Sequence, residues 1–122
     1  MSRKTVVYYR DARGKSPVKE FLYGLGPIEK GKAFAYVGLL EESGEELRRP
    51  ISDYLGDKIY ELRPKETRIL YGFVRGYAVI LHAFRKKTKE VPPEELRTAR
   101  TRLSEIVRWE NEGRLDIEEE SE

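Results

Sequence analysis

Charged side chains that can do chemistry interrupt three β-type runs between residues 58 and 89. They combine guanidinium and ammonium groups with one imidazole and one carboxylate: Glu61, Arg63, Arg68, His82 and Lys86. A sheet that sets cations into its apolar pattern presents them to an anion. Imidazole has an unperturbed pKa near physiological pH, so it can give or take a proton there. The pattern therefore indicates a basic sheet surface with acid–base groups among its cations.

The positive charge of the chain is concentrated in this segment. The formal net charge is only +2, but residues 114–122 carry five acids and one base. Without them the chain has 23 basic and 17 acidic residues, a net charge of +6. Residues 58–102 alone hold 12 basic and 5 acidic residues, a net charge of +7. Such asymmetry favours a polyanionic partner, with an ordinary solvated face as the alternative.

Composition excludes several classes of protein. A chain of 122 residues has the size of one domain. The absence of cysteine excludes a disulfide framework and thiolate chemistry. With a single histidine we expect neither a metal site nor a cofactor. Apolar runs stay well below the about 18 residues of a membrane span, and no signal sequence is present, so we expect a soluble cytoplasmic protein.

The first half of the chain predicts one strand and a pair of helices. Residues 4–10 are β-branched and aromatic, which favours a strand. Ser16 and Pro17 are typical of a helix start, and a second helix should run from about 28 to 43. The short connection between them predicts an antiparallel hairpin. Residues 45–57 are predicted to be a loop.

Three consecutive strands follow, at 58–63, 68–75 and 77–84. Side chains two residues apart share a face of a strand. Strand parity therefore predicts a core set, Tyr60, Leu62, Val79, Leu81 and Ala83. The opposite, working face should carry Glu61, Arg63, Arg68, His82 and Lys86. In the middle strand, Gly72 should let a ligand approach closely, whereas Tyr71 should lie in the core or at its rim.

A third helix is predicted after Val91-Pro92-Pro93, with the buried stripe Leu96, Ala99, Leu103, Ile106 and Val107. The predicted order is β-α-α-β-β-β-α. We expect an α+β domain over residues 1–113, with a helical hairpin and a C-terminal helix packed on a small, largely antiparallel sheet. Residues 114–122 are predicted to be an acidic, disordered tail.

Three motifs, in order and spacing, resemble the RelE/ParE toxin superfamily, and within it the phage-derived HigB-like branch. That branch has the pattern Tyr-x-Leu-Arg, then Arg-x-x-Tyr, then Leu-His-x-Phe-x-Lys-Lys-Thr. The corresponding residues here run from Tyr60 to Arg63, from Arg68 to Tyr71 and from Leu81 to Thr88. The similarity covers residues 5 to about 108.

This resemblance implies a RelE-like fold and the toxin of a type II toxin–antitoxin system. Members of the branch are typically ribosome-dependent mRNA endoribonucleases that need no metal. A helix-turn-helix, HigA-like antitoxin encoded beside the toxin holds it inactive. The expected partners are therefore this antitoxin and mRNA on the ribosome.

RNA cleavage of this kind needs a base, an acid and cations for the developing phosphorane charge. We expect Arg63 and Arg68 to clamp the scissile phosphate, because the guanidinium fork matches phosphate oxygens. Lys86 would add a point charge, His82 would act as acid or base, and Glu61 is the alternative base. The side chains expected to hold the RNA backbone are Lys58, Arg85, Lys87 and Lys89.

Two other functions fit the same sequence. A ParE-like toxin that poisons gyrase would bind a protein and need no acid–base residues. A catalytically inactive, basic nucleic-acid-binding protein would need only the charge. In these cases His82 is a structural strand residue, and Glu61 with Arg63 forms an exposed ion pair of little energetic consequence.

Overall fold

The computed structural model describes residues 3–113, in which five strands form one sheet between helices. In chain order the elements are β1 (Thr5–Tyr8), α1 (Pro17–Tyr23), α2 (Pro27–Ser43), β2 (Ser52–Gly56), β3 (Ile59–Leu62), β4 (Thr67–Val74), β5 (Tyr77–Arg85) and α3 (Pro93–Asn111). This is an α+β architecture, as predicted. The predicted tail, 114–122, lies outside the described residues.

The helices begin and end where their capping residues predict. The Ser16 side chain accepts a hydrogen bond from the Lys19 main-chain N–H at 3.3 Å, and Pro17 occupies the first turn of α1. Gly44 ends α2 with a positive φ of 54°, and its N–H bonds to the Leu40 carbonyl. Glycine adopts this positive φ at little steric cost, so the backbone can turn here while the Gly44 N–H satisfies a terminal carbonyl of the helix.

The strands lie side by side in the order β1-β5-β4-β3-β2. Every neighbouring pair is antiparallel except β1 and β5, which are parallel. The largely antiparallel sheet is therefore confirmed. The prediction of a loop over residues 45–57 is wrong. A short 3₁₀ turn, Gly44–Glu46, reaches into this segment, and the segment also contains the edge strand β2. The observed order is thus β-α-α-β-β-β-β-α.

Both faces of the sheet are buried, each against different helices. On the first, which we call the hairpin face, α1 and α2 pack against side chains that include Val6, Leu62, Ile69 and Ile80. On the second, the α3 face, α3 packs against side chains that include Val7, Ile59, Leu70 and Val79. The strand β5 is apolar on both faces, as a central strand should be.

A bulge at Leu81 changes which side chains of β5 share a face. Leu70 pairs with His82 but the next residue, Tyr71, pairs with Ile80, so Leu81 is an extra residue. Val79 and Leu81 pack with α3, whereas Ala83 packs on the hairpin face. The prediction that Val79, Leu81 and Ala83 share one face is therefore wrong, because the bulge interrupts the alternation.

Two predictions for β4 have opposite outcomes. Tyr71 is 1% exposed, and its hydroxyl lies 2.5 Å from the Ser52 hydroxyl, so its place in the core is confirmed. Burial raises the pKa of Tyr71 to about 12. Gly72 admits no ligand, because a Cβ there would lie 3.2 Å from the Lys58 carbonyl and 3.4 Å from Leu103. The close neighbour of Gly72 is the chain itself.

Across residues 3–113, none of the helices has both the length and the apolar content that a membrane span requires.

The buried hydroxyl pair of Ser52 and Tyr71 gives a test of this packing. Tyr71→Phe should lower the free energy of unfolding by about 1–3 kcal/mol, because the Ser52 hydroxyl is left buried without its partner. Adding Ser52→Ala should restore part of that loss, since no unpaired polar group remains. Urea denaturation of both single variants and the double variant measures the coupling, with exposed Tyr23→Phe as control. Strictly additive losses would contradict the described bond.

Candidate active site

Three strands bring charged side chains together at one end of the sheet. There β3 ends, β4 begins and β5 ends, because Thr67 pairs with Arg85 in the antiparallel register. The main-chain N–H of Lys86 donates to the Glu66 carbonyl at 2.6 Å. This bond fixes Lys86 beside the turn between β3 and β4. The end of the sheet thus gathers cations from separate parts of the chain.

Glu61 is the most unusual group at this end, because it is a carboxylate only 3% exposed. Its Oε2 accepts a hydrogen bond from Arg63 Nη1 at 2.6 Å. Its Oε1 lies 3.9 Å from Arg68 Nε. Among the described residues, Oε1 has no hydrogen-bond partner. A buried carboxylate oxygen without a partner is costly, so this oxygen is a candidate for a functional role.

The two arginines beside Glu61 have different environments. Arg68 is 7% exposed, and its Nη1 donates to the carbonyls of Lys65 at 2.8 Å and Thr67 at 2.9 Å. Burial, followed by the nearby charge of Arg63, holds the pKa of Arg68 below its ordinary value. The Arg63 side chain is 27% exposed. Arg63 can therefore reach a ligand, whereas Arg68 holds the turn and faces the carboxylate.

A cleft of about 270 Å³ opens over Glu61 and Arg63, and we call it the Glu61 cleft. Its other walls come from the β2 edge, from the loop before α3 and from α3 itself. Those residues are Arg49, Asp53, Leu55, Lys89, Glu90, Val91 and Leu96. The cleft lining therefore combines three carboxylates, of Asp53, Glu61 and Glu90, with three cations, of Arg49, Arg63 and Lys89. It brings a buried carboxylate and guanidinium donors together without a net charge.

His82 is placed apart from this cleft. Its Nε2 lies 2.5 Å from Glu95 Oε1, and its Nδ1 lies 3.5 Å from Arg102 Nη1, both on α3. Arg102 also donates to the Leu81 carbonyl at 2.9 Å. Leu70 of β4 pairs with Glu61 of β3 on one side and with His82 of β5 on the other. The strands that carry Glu61 and His82 are therefore two strand spacings, about 10 Å, apart. The structure thus groups Glu61, Arg63 and Arg68, and places His82 in a contact with α3.

The other predicted cations are distributed over the surface. Arg85 forms a bidentate pair with Glu29 of α2, at 2.8 and 3.1 Å, which lowers the pKa of Glu29 and raises that of Arg85. Lys58 lies at the other end of β3, in the turn from β2. Lys87 and Lys89 are exposed in the loop before α3, and Lys89 lines the Glu61 cleft.

Several residues of the site were missed from the sequence. Arg49 and Asp53 line the cleft as an ion pair at 2.7 Å, and Glu95 and Arg102 bind His82. The spacing of Glu95 and Arg102 puts both on one side of a helix, which is a usable signal for a shared partner. Nothing comparable marks Arg49 and Asp53, because they lie in a segment without an apolar pattern. In residues 3–113, no three His, Cys, Asp or Glu side chains gather as metal ligands.

The contrast between the arginines can be tested by stability. Arg68→Ala should lower the free energy of unfolding by about 3 kcal/mol, because it leaves two carbonyls and a buried carboxylate without that cation. Arg63→Ala should cost less, about 1–2 kcal/mol, because it removes the described hydrogen bond to the buried Glu61 carboxylate but leaves Arg68 beside Glu61 and the turn carbonyls bonded. Urea denaturation at neutral pH measures both variants. Equal losses would contradict the assignment of Arg68 as the buried, structural partner.

The chain can also be compared with known proteins. Residues 20–104 match the model of a protein family described as phage-derived protein Gp49-like (DUF891). The matched stretch runs from α1 into α3 and includes Glu61, Arg63 and Arg68. No curated protein sequence matches the chain. Because the family match covers more than half of the chain, the protein belongs to the phage-derived Gp49-like family, a RelE- and toxin-like family of toxin–antitoxin systems.

Proposed function

We propose that this protein is the toxin of a type II toxin–antitoxin system and cleaves mRNA as a metal-independent endoribonuclease. The observation that carries the proposal is the buried Glu61 carboxylate between two guanidinium groups, with its Oε1 directed at no described hydrogen-bond donor. Family membership supports the toxin, and the Arg63 and Lys89 cations beside that carboxylate support RNA as its target.

The cleft residues can supply each part of this reaction. Glu61 takes the proton of a ribose 2′-hydroxyl, and that oxygen attacks the adjacent phosphorus. Arg63 donates hydrogen bonds to the phosphorane oxygens as their negative charge develops. The bond from phosphorus to the 5′ oxygen then breaks, and the Lys89 ammonium at the cleft wall gives that oxygen a proton. The products are a 2′,3′-cyclic phosphate and a 5′-hydroxyl.

The remaining predicted residues take supporting roles in the proposal. Arg68 positions Glu61 and holds the turn between β3 and β4. His82 acts through Glu95 and Arg102, so it fixes the start of α3 and with it the wall formed by Leu96. Lys86 and Lys87 bind the RNA backbone next to the cleft, through contacts that salt weakens.

The finer assignments follow from the resemblance of the strand motifs to the HigB-like branch. We propose that the toxin cuts mRNA on the ribosome and that a helix-turn-helix, HigA-like antitoxin blocks it. The basic surface around residues 85–89 suits both an RNA backbone and an acidic segment of such an antitoxin.

Inducible expression in a bacterial host tests the proposal. The wild-type protein should stop growth, and mapping of mRNA 5′ ends should show new cuts in translated regions. Glu61→Gln keeps the shape of the side chain but cannot act as the base, so cutting should fall about 100-fold or more. Arg63→Ala should also reduce cutting severely.

Arg75→Ala is the matched control for the loss of a positive charge. Arg75 is an exposed arginine paired with Glu110 at 2.6 Å, in the turn between β4 and β5 at the opposite end of the sheet. This variant should remain toxic and should cut the same sites. Full cutting by a folded Glu61→Gln variant would refute the mechanism. Toxicity with DNA breaks and intact mRNA would instead identify a gyrase poison.

A further inference from the structure

Three tyrosines form a row across the sheet on the hairpin face. Tyr54 of β2 pairs with Tyr60 of β3, which pairs with Tyr71 of β4. The ring centroids lie 4.8 Å apart for Tyr54 and Tyr60, and 5.4 Å apart for Tyr60 and Tyr71. Burial falls along the row, from Tyr71 in the core, through half-buried Tyr60, to Tyr54 at 54% exposure. The row therefore carries an aromatic surface from the core out to solvent.

The position of the helices explains why the row is exposed at one end. On this face α1 packs mainly on β5 and α2 on β1, at the far side of the sheet. The edge formed by β2 and β3 extends beyond them. A large aromatic side chain left exposed at such an edge, beside a cleft, is a candidate binding residue.

Tyr54 is exposed but its ring is fixed in place. Its hydroxyl accepts a hydrogen bond from the Lys58 main-chain N–H at 3.0 Å. Its ring also packs on the Tyr60 ring at an interplanar angle of 52°. A ring held at both ends loses little conformational entropy when a planar ligand stacks on it. Tyr54 thus resembles a preformed stacking surface more than a mobile surface side chain.

A cleft of about 470 Å³ lies beside these rings, and we call it the tyrosine cleft. It is lined by Glu45, Leu47, Arg48, Arg49, Ser52, Asp53, Tyr54 and Tyr60. Its carboxylates are both neutralised, since Glu45 pairs with Lys4 at 3.1 Å and Asp53 pairs with Arg49 at 2.7 Å. The hydrogen bonds described for Arg48 Nη1 go to the neutral carbonyls of Glu45 and Leu47. The cleft therefore offers aromatic rings beside the positive charge of Arg48.

The tyrosine cleft and the Glu61 cleft share a wall. Arg49 and Asp53 line both, so the two clefts lie on opposite sides of the β2 edge strand. A single strand that crosses this edge can place one part of itself in each cleft. The Arg49 guanidinium, on the ridge between them, lies where the backbone of such a strand would pass.

We propose that the tyrosine cleft binds one unpaired nucleobase of the RNA strand whose scissile phosphate occupies the Glu61 cleft. The base stacks on the Tyr54 ring, and Arg48 contacts an adjoining phosphate. Stacking on an aromatic ring suits any base, because every base has a π face. This inference rests on the proposed function and adds to it a second binding subsite on the other side of the sheet.

RNA binding by full-length variants in a Glu61→Gln background tests the proposal without cleavage. The probe is a fluorescein-labelled single-stranded RNA 12-mer that contains a mapped cut site, together with a series carrying one abasic nucleotide at each position. Tyr54→Ala should weaken binding of the intact RNA about tenfold, as expected for one lost stacking contact. Tyr54→Phe keeps the ring and should bind within about twofold of the parent.

The abasic series identifies the stacked base. At one position, loss of the base should weaken binding to the parent about tenfold but should have no further effect in Tyr54→Ala. Tyr23→Ala is the control, because Tyr23 is 59% exposed at the end of α1 and lines neither cleft. Thermal unfolding verifies that each variant is folded.

Failure of this inference can be distinguished from failure of the proposed function. If the wild-type protein cuts mRNA but Tyr54→Ala binds the whole series like the parent, the subsite is refuted and the nuclease stands. If Tyr54→Ala weakens binding equally for intact and abasic RNA at every position, the ring does not stack on a base and the subsite is likewise refuted. If the wild-type protein neither cuts nor binds RNA, both proposals fall together.

Discussion

The ion cluster of Glu61, Arg63 and Arg68 is the interaction on which this end of the molecule depends. Burying a carboxylate to 3% exposure is costly without compensating charge, and two guanidinium groups supply that charge to Glu61. Arg68 gives one edge of its guanidinium to the turn carbonyls and faces Glu61 with another. The same turn also holds Lys86, whose main-chain N–H donates a hydrogen bond to the Glu66 carbonyl. The charge cluster and the local backbone thus stabilise each other, with Arg63 left accessible.

The position of α3 defines the rest of the candidate site. This helix covers most of the sheet face that carries Glu61, so only the end of that face remains open as a cleft. His82 contributes to this arrangement from the sheet, because it binds Glu95 and lies next to Arg102. The sequence motif predicts an acid or base at His82; the structure shows its contacts with α3, and we propose that these contacts position the cleft wall.

Much of the fold was predictable, because local patterns determine it. The Ser16 cap, the Gly44 stop, the apolar strands and the buried Tyr71 all follow from residue type and spacing. The strand β2 was not predictable, because an edge strand needs no apolar run and this one contains Ser52, Asp53 and Gly56. The bulge at Leu81 depends on pairing between strands, so a single-strand parity argument cannot detect it. Likewise, sequence cannot distinguish Arg63 from Arg68, since only the fold determines which one is buried.

The chemistry of the cleavage products tests the central claim most directly, that cleavage proceeds by attack of a ribose 2′-hydroxyl, the step proposed for the Glu61 cleft. Purified protein, with ribosomes programmed on a defined mRNA, would be given substrate with either ribose or 2′-deoxyribose at the mapped cut site. We predict products with a 2′,3′-cyclic phosphate and a 5′-hydroxyl by mass spectrometry, and no cleavage of the 2′-deoxy substrate. Products with a 5′-phosphate, or cleavage of the 2′-deoxy substrate at the ordinary rate, would contradict the account.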